Sequence, residues 1–243
     1  MSDGTRTSDN ARRLEPSAIS LPLPLKRRVD KICDEFEAAW NSGQRPNIED
    51  YLGAIPDPER SALLQELIKL DPAEPANYVQ LAKLYQDAGV YDEAEKMYVY
   101  ATQAKPSDTG ALMQLAGFYN SMGAEYFDKT IAALQKRAEL EPNNPEAYFT
   151  ISTYYWDNAQ RNVALKKAEK LDYVGKGLTA VNKAIEIRPD YMEALTYKGL
   201  LLRTEANLEG DPAKQQALLK EAIQLQNQAE ELRKKKAAGV TSN

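Results

Sequence analysis

Cysteine and histidine, two side chains widely used for nucleophilic and acid–base chemistry, are almost absent from this chain. Cys33 is its one cysteine, and it contains no histidine. Disulfide frameworks, zinc sites of the Cys/His type and every histidine-based triad are therefore excluded. Cys33 itself lies on the apolar face of a predicted helix. We expect it to belong to the core, because a reactive thiol needs an electropositive and accessible site.

The carboxylate pairs are the next candidates for chemistry. Glu93 with Glu95, and Glu230 with Glu231, fall on predicted helices whose charged faces point to water. The sequence GKG at 175–177 lies in a helical pattern and lacks the spacing of a phosphate-binding loop. We therefore expect no enzymatic activity, no cofactor and no metal ion. A transferase of unrecognised type is the enzymatic alternative that stays open.

Composition narrows the class of partner. The chain has 243 residues, 28% of them charged, and a net charge of -5, whereas a dedicated nucleic-acid binder shows a basic footprint. The basic run at 233–236 is interpreted as cations that compensate the carboxyl end of a helix. The sequence has no run of eighteen apolar residues and no signal-peptide core. We expect a cytoplasmic protein with no nucleic-acid or membrane partner and with disordered tails at 1–20 and 238–243.

Internal repetition is the most informative feature of the sequence. Four similar segments end in Pro72, Pro106, Pro142 and Pro189, which are 34, 36 and 47 residues apart. A 34-residue period with two helices and a closing proline is the signature of the tetratricopeptide repeat. Residues 75–106 resemble this family closely. The matching residues are Tyr78, Leu81, Ala82, Tyr85, Gly89, Ala94, Tyr98 and Ala101.

Three further units follow the same pattern with departures. The unit at 109–142 has two extra residues in its turn, within AEYFDK, and Arg137 where a small residue is usual. The third unit, from 145 to 189, carries about thirteen extra residues at 160–172. This insertion either lengthens both helices, adds a turn of helix or folds over the neighbouring groove. The fourth unit ends in a helix that Asp211 is expected to cap.

These patterns predict an all-α fold, a right-handed tetratricopeptide-type superhelix of about four helical pairs. The expected domains are a small amino-terminal helical unit at 21–72 and a repeat domain at 73–237. The last helix, from Pro212 to about Ala237, is predicted to cap the repeats, with one face buried and the other exposed to solvent. Its apolar stripe consists of Leu218, Ala222, Leu225, Ala229 and Leu232.

The amino-terminal unit begins with an amphipathic helix at 26–42, followed by a short helical turn capped by Asn47 and a third helix opened by Asp57 or Pro58. The stretch FEAAWNSGQRPNIEDYL, followed by IPDPERSALLQELIKLD, resembles the segment that precedes the catalytic domain of many large bacterial serine/threonine kinases. The kinase motifs themselves are missing, namely the Gly-rich loop, the VAIK-type lysine, HRD and DFG. The resemblance implies bacterial signalling without kinase activity.

The tetratricopeptide resemblance also implies a binding groove, because the first helices of each pair line a concave surface in that family. Phe149 and Trp156 are seven residues apart on one face and outside the packing signature, which favours a hydrophobic anchor for a partner. The alternative is that the insertion at 160–172 covers them as extra core. The predicted groove residues are Val79, Lys83, Gln86, Met113, Asn120, Phe149, Thr153, Trp156 and Arg203.

The sequence thus favours a non-catalytic adaptor that docks a peptide or helix of a partner protein in its groove. The alternative is a structural scaffold that self-associates, which the 14 tyrosines and two tryptophans suggest. The pattern does not predict an oligomeric state or name the partner, since repeats of this kind serve unrelated processes.

Overall fold

The computed structural model describes residues 22–42, 51 and 57–238, and the regular elements within them are helices. The chain divides into two compact units, Met1–Lys105 and Pro106–Asn243. The first unit contains α1 (Leu23–Asn41), α2 (Asp57–Leu70), α3 (Pro75–Asp87) and α4 (Tyr91–Ala104). The second contains α5 (Thr109–Met122), a 3-10 turn (Ala124–Tyr126), α6 (Phe127–Leu140), α7 (Pro145–Arg161), α8 (Lys167–Ile187), α9 (Met192–Leu208) and α10 (Pro212–Ala237).

Side-chain caps fix the start of several helices. The Asp108 carboxylate accepts a hydrogen bond from the Gly110 N–H at 2.8 Å, and Asp211 accepts one from the Ala213 N–H at 2.8 Å. Each bond satisfies a donor that the first turn of a helix leaves unpaired. The predicted cap at Asp211 is therefore confirmed. Gly89 follows α3 with φ of 75°, a left-handed conformation that glycine adopts without steric cost.

The proline and the aromatic residue of the repeat signature contact one another. The Tyr78 hydroxyl donates to the carbonyl of Pro72 at 3.2 Å, and the Tyr148 hydroxyl donates to the carbonyl of Pro142 at 3.3 Å. The same bond thus occurs once in each unit, six residues apart in both cases. It ties the first helix of a pair to the turn before it.

In the first unit, α2 supplies the centre of the core. Leu63, Leu64 and Leu67 are fully buried, and α1 packs on α2 with Val29 and Phe36. The next contact is between α2 and α3, where the Gln65 amide donates to the Tyr85 hydroxyl at 3.2 Å. The predicted apolar face of α1 is therefore the face that packs.

Some predictions fall on residues that the structure does not describe. These are the side chain of Trp40, the helical turn after Asn47 apart from Tyr51, the tail at 1–20, and the carboxyl-terminal tail beyond Ala238. The predicted domain boundaries at residues 20, 72 and 237 stay predictions.

The insertion in the third repeat lengthens two helices. α7 has 17 residues and α8 has 21, whereas α3 to α6 have 13 or 14 each. The extra residues predicted before α6 form the 3-10 turn Ala124–Tyr126. The extra residues of the second repeat thus lie between its two helices, and those of the third repeat lengthen its two helices.

The last helix is only partly as predicted. Ala222 and Ala229 of its stripe are buried, and Leu218, Leu225 and Leu232 are half-buried. The outward surface of this helix was expected to be polar and exposed to solvent. It also carries two apolar residues, Leu219, which is 36% exposed, and Ile223, which is 52% exposed. The predicted stripe from Leu218 to Leu232 does not include this pair, because the pair lies on the neighbouring side of the helix.

Gly177 provides a test of how closely the helices of the second unit approach. A Cβ at this residue would lie 2.9 Å from Leu201 Cδ2 and 3.3 Å from Tyr155 Cβ. We expect Gly177→Val to lower the free energy of unfolding by about 1–3 kcal/mol, since overpacking a filled interior costs that much. Urea unfolding of the purified chain measures the change.

The matched control is Gly175→Ala in the same helix. Nothing lies within 4 Å of a Cβ at Gly175, so we expect this variant to gain about 0.5–1 kcal/mol from the better helix propensity of alanine. A Gly177→Val variant as stable as the wild type would show that the close approach is not required.

Candidate functional site

Three of the predicted groove residues lie on α3 in the first unit. Val79 is half-buried and Lys83 is exposed. The side-chain amide oxygen of Gln86 accepts a hydrogen bond from the Tyr98 hydroxyl of α4 at 3.0 Å. Gln86 therefore braces the helix pair, and Lys83 is the member of the three that is most open to solvent.

The other six lie in the second unit, Met113 and Asn120 on α5, Phe149, Thr153 and Trp156 on α7, and Arg203 on α9.

Two of these six are held by the second helix of their own pair. The Met113 sulfur lies 3.1 Å from Arg137 Nη1, and Arg203 donates to the Gln226 side chain at 2.7 Å. A small residue is usual at the position of Arg137 in this repeat. The contact of its guanidinium with Met113 of α5 explains how the large side chain is accommodated. Its guanidinium also pairs with Glu141 at 3.1 Å.

Hydrogen bonds lower the pKa of the Glu141 carboxyl. The first donor is the Thr109 side chain, followed by Asn144, and the charge of Arg137 acts in the same direction. Glu141 therefore stays ionised at neutral pH and keeps Arg137 in place.

Phe149 and Trp156 belong to a cluster of four rings. The Phe149 ring centroid lies 5.0 Å from that of Tyr191 and 5.2 Å from that of Tyr197, and the Trp156 ring lies 5.4 Å from Tyr197. These spacings are typical of attractive edge and tilted ring contacts. We call Phe149, Trp156, Tyr191 and Tyr197 the aromatic strip. Phe149 and Trp156 are half-buried in it.

This geometry resolves the question that the sequence left open about the two rings. Their ring partners come from the start of α9, whereas the sequence alternative placed the 160–172 insertion over them. Phe149 and Trp156 were predicted to lie outside the packing signature, and Tyr191 and Tyr197 are not among the predicted groove residues. The signal was available, because Tyr197 directly follows Thr196, the residue that matches Phe149 in the next repeat.

A cavity of about 300 Å³ lies beside the predicted residue Asn120, where α5, α6 and α7 meet. Phe127, Tyr154 and Asp157 contribute to its lining, and Asp157 pairs with Arg161 at 2.7 Å. Burial, followed by the nearby Asp157 charge, raises the pKa of the Tyr154 phenol, which keeps its proton as a donor. The cavity thus combines hydrogen-bonding groups with a locally balanced charge.

A second groove, of about 890 Å³, opens between α6 and α8 on a different side of α7. Tyr148, Ile151 and Tyr155 of α7 contribute to its lining, and Ala138 and Ala180 line its two sides. The rings of Phe127, the first residue of α6, and Tyr173, in the second turn of α8, are 5.0 Å apart and join the two helices. This groove is not among the features predicted from the sequence.

The described residues contain no group of three or more Asp, Glu, Cys or His side chains that could hold a metal ion. In the same part of the chain, no helix has the length and apolar character needed to cross a membrane.

Neither protein-family models nor curated proteins match the sequence. Solved structures do. The crystal structure of MamA is 17% identical, with 90% of this chain and 97% of that chain covered and a TM-score of 0.52. The MamA RS-1 ArsTM double mutant is 12% identical over 86% and 96%, with a TM-score of 0.51. YrrB, a TPR protein with an unusual peptide-binding site, is 16% identical over 86% and 97%, with a TM-score of 0.46.

The likeness to MamA is one of fold. Together with the helix pairs, their closing prolines and their small crossing residues, it confirms the predicted all-α fold of tetratricopeptide type. What the site binds is a separate question, because fold alone does not determine it.

The aromatic strip predicts energetic coupling between α7 and α9. In a double-mutant cycle of Phe149→Leu and Tyr197→Leu, we expect a coupling of about 0.5–1.5 kcal/mol, the usual value for an aromatic pair beyond its buried area. Urea unfolding of the four proteins gives the number. The matched cycle uses Thr153→Ala with Tyr197→Leu, since the Thr153 hydroxyl donates within its own helix to the Thr150 carbonyl at 2.7 Å. Equal coupling in both cycles would contradict a specific ring contact.

Cys33 is expected to be unreactive in the folded protein. Burial, followed by the negative charge of Glu66, raises the pKa of its thiol to about 12. Because the thiolate is the reacting form, an aromatic disulfide reagent at mildly alkaline pH should label the folded chain at least about a hundredfold more slowly than the chain unfolded in guanidinium chloride. Equal labelling rates would contradict the raised pKa.

The raised pKa of Cys33 also affects stability. Its contribution to the free energy of unfolding is fully present below the pKa of the thiol in the unfolded chain, and it is lost as the pH rises toward 12.

Proposed function

We propose that this protein is a non-catalytic adaptor that docks a peptide or helix of a partner protein on the side of the second unit formed by α5, α7 and α9. The observation that carries the proposal is the aromatic strip. Phe149 and Trp156 are half-buried and keep part of their rings open, and Asp157, which follows Trp156 in the chain, lines the polar cavity. Aromatic side chains held in this way are the residues that dominate binding energy at protein interfaces.

The strip is also rigid enough to serve as a binding surface. Tyr197 contacts both Phe149 and Trp156, so the two rings are fixed before a ligand arrives. Binding then loses little side-chain entropy. An apolar or aromatic side chain of the ligand would lie on the strip, and its backbone amides would reach the hydrogen-bonding groups of the cavity near Asn120.

The charges at the site favour an uncharged ligand segment. Asp157 is paired with Arg161, and the Arg203 guanidinium donates to Gln226. A ligand carboxylate would have to compete with these bonds. We therefore expect recognition through apolar contact and backbone hydrogen bonds, in contrast to a site that reads a terminal carboxylate through several free cations.

The non-catalytic interpretation rests on the surroundings of the carboxylates. Glu93 pairs with Lys96 at 2.7 Å, and Glu230 pairs with Arg233 at 3.1 Å, each within its own helix. Such exposed pairs are typical of solvated helix faces.

The finer proposal, an adaptor in bacterial signalling, rests on the resemblance of FEAAWNSGQRPNIEDYL and the following helix to a kinase leader. A cytoplasmic location is proposed with it. A protein partner is proposed with it, without nucleic acid or membrane.

A self-associating scaffold is the second candidate function. The abundance of aromatic residues no longer supports it, because Tyr91 is the one aromatic side chain that is exposed among the residues with described side chains. The outward surface of α10 favours it instead.

A displayed library of random peptides, selected on the purified chain, tests the adaptor proposal. We expect selected peptides to share an aromatic or large aliphatic residue. Their affinity should fall at least about tenfold, or 1.4 kcal/mol, in the variant Thr153→Glu with Thr196→Glu, because it places charge beside the aromatic strip. Both threonine hydroxyls bond within their own helices, so the fold should tolerate the change.

The control is Gln224→Glu with Gln228→Glu on the exposed surface of α10, which should leave the affinity within about twofold of the wild type. Fluorescence polarisation with the selected peptides measures all three proteins. A library that yields no binding peptide, or peptides that bind the threonine variant equally well, would overturn the proposed site.

A further inference from the structure

One face of α8 holds the next helix, α9. Val174 and Val181 are fully buried in a cluster with Leu201 of α9, and Leu178 and Ile185 pack against the same cluster. The four α8 residues follow one another at spacings of 4, 3 and 4, so they lie on one side of the helix. This side is the stacking face of α8, the surface on which the following repeat is placed.

α10 repeats the register of α8. Gly177 of α8 and Ala222 of α10 are 45 residues apart, and so are the buried residues Ala184 and Ala229. A Cβ on Gly199 would lie 3.3 Å from the Ala222 carbonyl oxygen, so the α9–α10 pair also crosses closely at this point. With this register, the residues that match the stacking face of α8 are Leu219, Ile223, Gln226 and Glu230.

These four residues form the stacking face of α10, and its apolar half is open to solvent. Leu219 is 36% exposed and Ile223 is 52% exposed, whereas the matching Val174 is fully buried. The other half of the face is polar. The stacking face of α10 therefore has apolar residues at two of the four positions that are apolar on the stacking face of α8.

The face is presented by a helix that is fixed in position. Lys198 of α9 pairs with Glu221 at 3.1 Å, and the Gln215 amide donates to the Ala206 carbonyl at 3.0 Å. Together with the buried Ala222 and Ala229, these bonds hold α10 on α9. Leu219 and Ile223 consequently point away from the unit, where another molecule can reach them at little entropic cost.

We propose that the stacking face of α10 pairs with the same face of a second copy of this chain, with the two α10 helices antiparallel across a two-fold axis. A two-fold interface uses one surface twice and is the commonest symmetry of protein dimers. The antiparallel register sets Leu219 against Ile223 of the second copy, and Ile223 against its Leu219. Four aliphatic side chains then cover one another.

Charge favours this antiparallel register. It brings the basic run at 233–236 near Glu209 and Asp211, the two carboxylates at the amino terminus of the other α10. Opposite charges therefore meet at both ends of the antiparallel pair. A parallel arrangement would instead set the two basic runs against one another, so that like charges repel. The sequence of α10 is thus complementary to itself when reversed.

Sedimentation velocity of the full chain over a concentration series up to about 1 mM tests the dimer, because a contact of this size is weak. We expect the average mass to rise from 27.2 kDa toward twice that value. The variant Leu219→Lys with Ile223→Lys should raise the dissociation constant at least tenfold. Gln224→Lys with Gln228→Lys adds the same charge on another side of α10 and should behave like the wild type.

Cross-linking tests the register. In a Cys33→Ser background, a mixture of the Leu219→Cys and Ile223→Cys chains should form disulfide dimers faster than either chain alone. A wild-type mass of 27.2 kDa at every concentration would overturn the proposal. So would a dimer that the two lysine substitutions leave intact, or faster cross-linking of the unmixed chains. None of these results bears on peptide binding at the aromatic strip, so the two proposals can fail separately.

Discussion

The helix pairs of this protein depend on small side chains where two helices cross. Ala82 and Ala94 are fully buried between α3 and α4. At the crossing of α9 and α10, a Cβ on Gly199 would lie 3.3 Å from the Ala222 carbonyl oxygen, a tight contact that the glycine avoids. A larger residue at such a crossing would separate the helices and expose the rows of apolar side chains on either side of it. The larger residues of the repeat can pack only because these few residues are small.

Close crossing also decides which surfaces remain for binding. Once the two helices of a pair are in contact, each keeps one further side that can meet the next pair. In the third repeat that side of α8 is filled by α9, and the matching side of α7 brings Phe149 and Trp156 onto Tyr197. The aromatic strip is therefore part of the contact between repeats and part of the candidate site at the same time. Stability and binding share these rings.

Local signals made much of the fold predictable from the sequence. The start of α10 follows from Asp211 and Pro212, and the turn after α3 follows from Gly89, since capping and left-handed turns depend on a few neighbouring residues. The 34-residue period with its prolines gave the pairing of the helices. The thirteen extra residues were correctly located, although whether they lengthened the helices or covered a groove depended on contacts outside the segment.

The candidate site was less predictable because its geometry depends on neighbours that are distant in sequence. Phe149 was selected from its place on α7, but the partners that half-bury it, Tyr191 and Tyr197, are more than forty residues further along. A residue pattern within one helix cannot show which side the next helix will cover. The same limit applies to Ile223. The sequence of α10 alone does not show that this residue lies on the side that a following helix covers in α8.

The comparison of α8 with α10 shows how one repeat surface can serve either folding or association. Both helices present a small residue for their own pair, Gly177 or Ala222, and an adjacent row of four residues for a following helix. In α8 all four are apolar and either buried or partly buried in the contact, whereas in α10 the last two are Gln226 and Glu230. A fully apolar row would expose a large patch that promotes aggregation, and a fully polar row would prevent docking. A row with two apolar and two polar residues allows only a weak contact. The position of the charges on α10 restricts the orientation in which a second helix can bind.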